Sequence, residues 1–325
     1  MRRGYIAGVV DLFSGAGGFS RGFSDAGFEI LMGIDSERSA IRSYKANFPE
    51  AIALQEDIQE ISGEDIVYIL GSRPSIVIGG PPCEAFTGAN PERMKDPLDR
   101  LYKDPIGRLV IHFIRIVSEL EPAIFVMENV PGIMKHPIRE ALEDLFRRAG
   151  YREIYFNVLR AEDHGTPSRR TRVFISNIEI KPPITRGPTA GEALSDLPPP
   201  GSGIPNHEYI TLSPRKSKRI ARIRKGGSLY FFEGAGGRRL SNYIRIDPMD
   251  IAPTVMGSSR FIHPYENRLL TVREQARLMG FPDNHIFIGG RDEQYNQVGE
   301  AVPPPLARAV AMEVKKAIDN QQWKA

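Results

Sequence analysis

The chain is poor in the residues that build crosslinks and metal cages. One residue of 325 is cysteine, Cys83, which excludes a disulfide scaffold and any zinc site made of several thiolates. The six histidines are scattered, with no ligand spacing among them. No run approaches the roughly 20 apolar residues that a bilayer span requires. The start, MRRGYIAGVVDLFSGAG, has two arginines but not the long apolar region of a signal peptide. An excess of one charge is also missing. The 43 basic and 40 acidic residues leave +3, too little over the whole chain to name a polyanionic partner. What remains is 41% hydrophobic and 26% charged, an ordinary globular composition with material for a full core. The length predicts about two domains. A cytoplasmic enzyme or binding protein is expected.

The first 178 residues read as alternating strands and helices. Strand candidates are 6–10, 29–34, 75–78, 123–127, 154–159 and 173–175, mostly dense apolar runs suited to cover on both faces. Between them, Ile106, Leu109, Val110, Phe113, Ile116, Val117 and Leu120 recur at helical spacing, and a second stripe over 138–146 ends at Gly150 as its cap. This pattern predicts an α/β fold with an open, mostly parallel sheet. Near residue 180 the stretches KPPITRGPTAG and DLPPPGSGIPN break regular structure. From Arg215 to Arg245 there follow ten Lys or Arg residues and a single acid, Glu233. A solvated loop region is one reading of that segment. Helical texture returns with TVREQARLMGFP and in a helix over 304–317. Residues 1–178 plus 251–325 are therefore expected to form one domain, with 179–250 inserted.

Chemistry-bearing residues gather at the strand ends. DLFSGAGGFSRGF follows the first strand, and Gly15, Gly17 and Gly18 permit a tight turn and close approach of a ligand to the backbone. Asp35 closes the second strand, 24 residues after Asp11, where an acid suits ribose hydroxyls. Asp57 follows a third short strand, where it suits an adenine amino group. The spacing is GAGG, not GxGxxG, and no phosphate-loop lysine is present, so a nucleoside without pyrophosphate fits best. A tight turn without any ligand also accounts for the glycines.

Cys83 lies in VIGGPPCEAFTG, in a loop of turn residues at the sheet edge where open α/β folds carry their sites. A small buried hydrophobe is the plain alternative. Glu128 and Asn129 emerge from AIFVMENVPG, and a carboxylate after a buried strand is costly unless it has a use. An N-cap is the modest alternative. GTPSRRTRVF sets Arg170 and Arg172 before another strand, either as site residues or as solvated strand-start arginines.

Together these residues strongly resemble the DNA (cytosine-5) methyltransferase family of bacteria, archaea and phages. The similarity runs from Val10 to about Arg308. It covers DLFSGAGGFSRGF, Asp35 with Ala40, Tyr44 and Asn47, EDI around Asp57, GGPPCEAFTG and ENVPG. SRRTRVF, RLLTVREQARLMGFP and QVGEAVPPPLA follow in the family's order. The resemblance implies a Rossmann-like α/β methyltransferase that uses S-adenosylmethionine and no metal. It also implies a small target-recognition domain at 179–250, with duplex DNA in the cleft.

In such enzymes the target cytosine is flipped out of the helix. By the resemblance Cys83 attacks C6, Glu128 stabilises the charge developing in the ring, Arg172 holds O2, and Arg170 supports the Cys83 loop. A nearby arginine is expected to favour the thiolate. Phe13, Gly15, Gly17, Asp35, Asp57 and Ile58 are expected to line the cofactor site. Pro82, Asn129 and Glu300 are expected to border it, the first two by shaping the catalytic loop and its neighbour. The loop 84–104 is the expected lid. Arg222, Arg224, Arg238 and Arg239 are candidate readers of guanine edges.

The sequence departs from the family pattern at several places. Glu84 stands for a glutamine, Thr87 for a serine, Ser168 for the glutamine before the arginines, Met279 for a glutamine and Glu300 for an asparagine. Two rivals remain at this stage. One is a tRNA cytosine-5 methyltransferase, although the Cys-Phe-Thr marker of that branch is absent. The other is a catalytically weak DNA-binding relative, for which Glu300 is the best support. The implied setting is a monomer on duplex DNA in a prokaryotic cytoplasm, away from membranes, with a cognate restriction endonuclease sharing its target.

Overall fold

Short apolar runs dominate the first half, and each becomes a strand with helices on both sides. The structure is a computed structural model and describes residues 5–320, with only the backbone described at residues 5–7 and 238. The main sheet contains β1 (Tyr5–Leu12), β2 (Ile30–Asp35), β3 (Ile52–Gln55), β4 (Arg73–Gly79), β5 (Ile124–Asn129), β6 (Tyr155–Arg160) and β7 (Thr171–Ser176). Between these run α1 (Gly18–Asp25), α2 (Arg38–Asn47), α3 (Gly63–Leu70), α4 (Pro97–Tyr102), α5 (Leu109–Leu120) and α6 (Ile138–Arg148). The strand order is β3-β2-β1-β4-β5-β7-β6. The first five pair in parallel, whereas β7 runs antiparallel to both its neighbours.

Alternation along the strands explains the two apolar layers. Val9, Ile76, Ile78 and Val126 face Phe19, Phe23, Leu306, Val310 and Val314. Their chain neighbours Val10, Val77, Phe125 and Met127 face Val110, Phe113, Leu142 and Phe146. The helical stripe begins later than its spacing predicts. Asp104 Oδ1 accepts from the N–H groups of Ile106 and Gly107, at 2.9 and 3.0 Å, which forms a separate turn and leaves Ile106 exposed. At the end of α6, Gly150 takes φ 97°, the left-handed geometry that stops a helix.

After β7 come α7 (Ala190–Leu194) and α8 (Pro214–Ile220), then a second sheet. It has β8 (Ser228–Gly234) antiparallel to β9 (Arg238–Arg245), and β10 (Phe261–Ile262) parallel to β9. Arg245 is buried beneath it and donates to the carbonyls of Ile220, Ile223, His263 and Glu266 at 2.7–2.9 Å. The last member of the basic segment is thus an internal brace, because its buried guanidinium is satisfied by four surrounding carbonyls.

The chain finishes with α9 (Val272–Leu278), α10 (Arg291–Glu300) and α11 (Pro304–Asp319). Helix α11 packs against α1 so closely that a Cβ on Gly22 would stand 2.3 Å from Ala307 Cβ and 2.4 Å from the Arg308 nitrogen. Gly22→Ala is therefore expected to destabilise the fold by about 1–3 kcal/mol through overpacking. That outweighs the roughly 1 kcal/mol alanine gains in helix propensity. Denaturant unfolding measures the balance, and an unchanged or raised midpoint would contradict the close packing.

Candidate functional site

The glycine loop leaves β1 in a conformation few side chains adopt. Phe13, Gly15 and Gly17 have φ of 61°, 54° and 91°. A non-glycine residue such as Phe13 in that region is held there by its surroundings, and such strain gathers at functional loops. Asp35 at the end of β2 fastens the turn, with Oδ2 accepting from Gly15 N at 2.8 Å and Oδ1 from Glu37 N at 2.9 Å. A Cβ added to Gly17 would meet the Phe48 ring at 2.3 Å, whereas one on Gly15 would meet nothing within 4 Å. Gly15 therefore borders open space. Ile58 is buried after β3, and Asp57 beside it accepts from Gln59 N at 2.9 Å.

These features fit S-adenosylmethionine: open space beside Gly15 in a glycine turn, a carboxylate at the end of β2 and another just after β3. Among the described residues, no three His, Cys, Asp or Glu side chains are grouped to hold a metal.

Behind the loop lies a group that sequence reasoning did not assign. Asp11 is buried, and its Oδ2 accepts from Ser20 Oγ at 2.6 Å while Oδ1 has no partner. Ser20 Oγ in turn lies 2.8 Å from Tyr44 Oη. Burial pushes the Asp11 carboxyl up to about 7, and the nearby Asp35 charge adds to the effect. Its signal was visible as an acid inside the apolar run VVDLF. His285 is a second omission: its Nε2 donates to the Ala16 carbonyl at 2.9 Å, tying the C-terminal part to the glycine loop.

The cysteine loop follows β4. A Cβ on Gly80 would reach 3.3 Å from Glu128 Oε2, so the bare backbone keeps that side of the carboxylate clear. Asn129 is fully buried and spends its amide on the chain, donating from Nδ2 to Pro81 O at 3.0 Å and accepting from Val130 N at 2.9 Å. Its side chain ties the end of β5 to the loop before Cys83. Pro82 and Cys83 are both half-buried, and the Cys83 carbonyl accepts from Phe86 N and Thr87 N at 2.9 and 3.0 Å.

Glu128 ends β5 and is 7% exposed. Arg172 Nε stands 2.8 Å from its Oε1 as an ion pair, yet that oxygen makes no aligned hydrogen bond. Arg170, also buried, donates to the carbonyls of Val255 and Gly299 at 3.2 and 2.9 Å, and reaches that of Glu300 at 3.4 Å. Burial holds its guanidinium down at about 9, with Arg172 adding repulsion.

The arginines favour the thiolate as expected, yet they do not decide its state. Burial pushes the Cys83 thiol up to about 11; Arg172 and Arg170 act against this, but Glu128 and Glu84 reinforce it. Loss of hydration disfavours the charged thiolate, and here it outweighs the nearby arginines. Glu300, exposed at the end of α10, is nonetheless raised to about 7 by partial desolvation and by Glu84, with a smaller contribution from Asp35.

The loop after Cys83 is bound to the second sheet. Ala235 N donates to Gly88 O at 3.0 Å, and Arg93 Nη1 donates to the carbonyls of Phe86 and Thr87 at 3.2 and 3.3 Å. Cys83, Glu128, Arg170 and Arg172 thus form one charged cluster. Phe13, Gly15 and Gly17 lie in the turn after β1, fastened to Asp35 at the end of β2, and Asp57 and Ile58 follow β3.

Comparison with known proteins places this arrangement in context. The profile of the C-5 cytosine-specific DNA methylases matches residues 7–226 and 206–316. Two proteins of Methanocaldococcus jannaschii, "Putative type II methyltransferase M.MjaORF1200P" and "Putative type II methyltransferase M.MJ0563P", are 45% and 47% identical. The matches cover 94% and 95% of this chain, and 97% and 99% of theirs. Type II methyltransferase M1.HphI of Haemophilus parahaemolyticus is 36% identical over 96% of this chain and 87% of its own. Among solved structures, one described as a "putative DNA modification methyltransferase encoded within prophage" from E. coli has a TM-score of 0.78 at 27% identity. It covers 97% of this chain and 100% of that one. S. pombe Dnmt2 methyltransferase, with a TM-score of 0.66 and 16% identity over 97% and 99%, shares the fold.

The raised thiol has a direct consequence. Because Cys83 is the only cysteine, alkylation by iodoacetamide reports on it alone. The rate is expected to climb about tenfold per pH unit from pH 7 to 10, since only the thiolate reacts. Glu128→Gln removes a raising charge and is expected to speed alkylation at pH 8. A plateau already reached by pH 8.5 in the unsubstituted protein would contradict the assignment.

Proposed function

The chain belongs to the C-5 cytosine-specific DNA methylase family, and we propose that it flips a cytosine out of a short duplex target and methylates it through a Cys83–C6 bond. It is an S-adenosylmethionine-dependent methyltransferase of Rossmann-like α/β fold with an inserted smaller domain. The observation that carries the proposal is the Arg172–Glu128 pair beside the only cysteine.

The chemistry follows from these groups. Cys83 Sγ bonds to C6 as its proton is lost, and N3 gains a proton through Glu128, so the adduct forms without net charge. Arg172 holds O2 and keeps Glu128 aimed at the ring. This converts C5 from a poor nucleophile into an enamine carbon. S-adenosylmethionine supplies the methyl group. The C5 proton then passes to a solvent water, its electron pair re-forms the C5–C6 double bond, and Cys83 departs as thiolate to recover, through Glu128, the proton held on N3. Phe13, Gly15, Gly17, Asp35, Asp57 and Ile58 hold the cofactor. Asn129 and Pro82 fix the loop, and residues 84–104 close over the base to exclude water.

Residues 179–250 form the recognition unit in this reading, completed by the strand Phe261–Ile262. Its surface supports contact with a polyanion. Arg239 stacks on the half-exposed Phe231 ring at 4.1 Å and Arg219 on Tyr230 at 4.6 Å, while Arg222 and Arg224 are exposed. Such fixed guanidinium planes suit phosphates and guanine edges. The Arg238 side chain lies outside the described residues. The type II names of the relatives support a cognate restriction endonuclease with the same target, and their archaeal and bacterial sources support a prokaryotic setting. We take the working unit to be a monomer. Among the described residues no helix is long and apolar enough to cross a membrane. The single cysteine, followed by Glu84, leaves no Cys-Phe-Thr sequence for the RNA-acting alternative.

A duplex pool with 5-fluorocytosine in place of cytosine tests the covalent step, because fluorine cannot leave as a proton. With S-adenosylmethionine present, the protein is expected to form a denaturation-resistant adduct with the DNA. Cys83→Ala is expected to form none while binding the same duplexes with similar affinity. An adduct in Cys83→Ala would exclude Cys83 as the nucleophile.

A further inference from the structure

Two acids in the site have no part in the steps above. Glu84 directly follows Cys83, and Glu300 ends α10; both stand where the family resemblance led us to expect an amide side chain. The fold brings their segments to one place. The Glu84 carbonyl accepts from Asn90 Nδ2 at 3.1 Å within the Cys83 loop. The Glu300 carbonyl lies 3.4 Å from Arg170 Nη2. The two residues after Glu300 press on the glycine loop: a Cβ on Gly18 would stand 3.0 Å from Ala301 Cβ and 2.5 Å from Val302 O. Asp35, bonded to Gly15 N, brings a third carboxylate from the end of β2.

The charges acting on Glu300 are Glu84 and Asp35 on one side and Arg170 on the other, and Asn296 supplies a hydrogen bond. Arg170 already donates to backbone carbonyls, so its guanidinium is fixed in place. The trough border is therefore rich in negative charge. S-adenosylmethionine and its demethylated product differ at one atom that matters here, a cationic sulfonium against a neutral thioether. Their adenosine, amino and carboxylate groups are the same.

We propose that Glu300, with Glu84 and Asp35 beside it, makes the cofactor trough select the sulfonium form over the neutral product, so that charge favours product release. This rests on the reading that the cofactor lies along the Gly15–Gly18 loop. The ionised carboxylate binds the cation better than the protonated one does. Preference for the sulfonium form therefore rises as pH climbs through about 7, where Glu300 loses its proton. Asp11 titrates in the same range but remains in a Glu300 variant, which separates the two.

Calorimetric titration of the full chain without DNA, at pH 6, 7 and 8, measures both affinities directly. The ratio of product Kd to S-adenosylmethionine Kd is expected to increase with pH. Glu300→Gln is expected to lower that ratio at pH 8 by about tenfold, the order of one partly screened charge–charge interaction. It is also expected to flatten the pH dependence, and Glu84→Gln to lower the ratio less. Circular dichroism checks that the variants are folded. An unchanged ratio and slope in folded Glu300→Gln would overturn the proposal while leaving the cofactor reading intact. Failure of both ligands to bind the unsubstituted protein would overturn that reading as well.

Discussion

The buried pair between Arg172 and Glu128 is the contact on which the site depends. Two charges removed from water cost several kcal/mol each, and a single partner left behind typically costs about 3–5 kcal/mol. Such a pair is a weak source of stability and a strong source of orientation. Its geometry comes from one reversed strand. In a wholly parallel sheet the residues before a strand lie at the opposite edge from the residues after its neighbour. Because β7 runs against β5, Arg172 at its start meets Glu128 near the end of β5. The cysteine loop after β4 opens at that same edge.

The remaining parts are held by contacts distant in sequence. His285 bonds to Ala16, Arg170 to Gly299, and Val302 lies against Gly18. The C-terminal segments thus pack along the glycine loop. The second sheet reaches the cysteine loop through Ala235 and Gly88, which joins the proposed recognition surface to the proposed lid. Burial has an electrical consequence throughout. It raises Asp11 and Cys83 and lowers Arg170, so each is shifted toward its neutral form. An incoming cationic cofactor or a polarisable base changes that balance.

Much of this was legible in the chain itself. The strands β1, β2, β4 and β5 are apolar runs whose ends carry Asp35, Cys83 and Glu128 nearby, and periodicity finds such elements because burial on two faces demands it. Direction, burial of cations and the state of the thiol were not legible. A strand beginning TRVFIS reads the same in either direction, so the sense of β7 awaited its partners. Arg245 looked like another surface cation, but its carbonyl partners come from four separate positions. The bond from the Asn129 amide to the Pro81 carbonyl joins residues 48 apart and has no mark in either motif. The arginines beside Cys83 suggested a thiolate, whereas the competing loss of water depends on the packed loop.

The central claim is cytosine C5 methylation of duplex DNA by Cys83. Cytosine-resolution sequencing of mixed duplex DNA and total tRNA, each incubated with the protein and S-adenosylmethionine, tests it most directly, with Cys83→Ala alongside. Methylation at C5 within one short DNA sequence, absent with Cys83→Ala, is the expected result. Methylation confined to tRNA, or retained by Cys83→Ala, would contradict it.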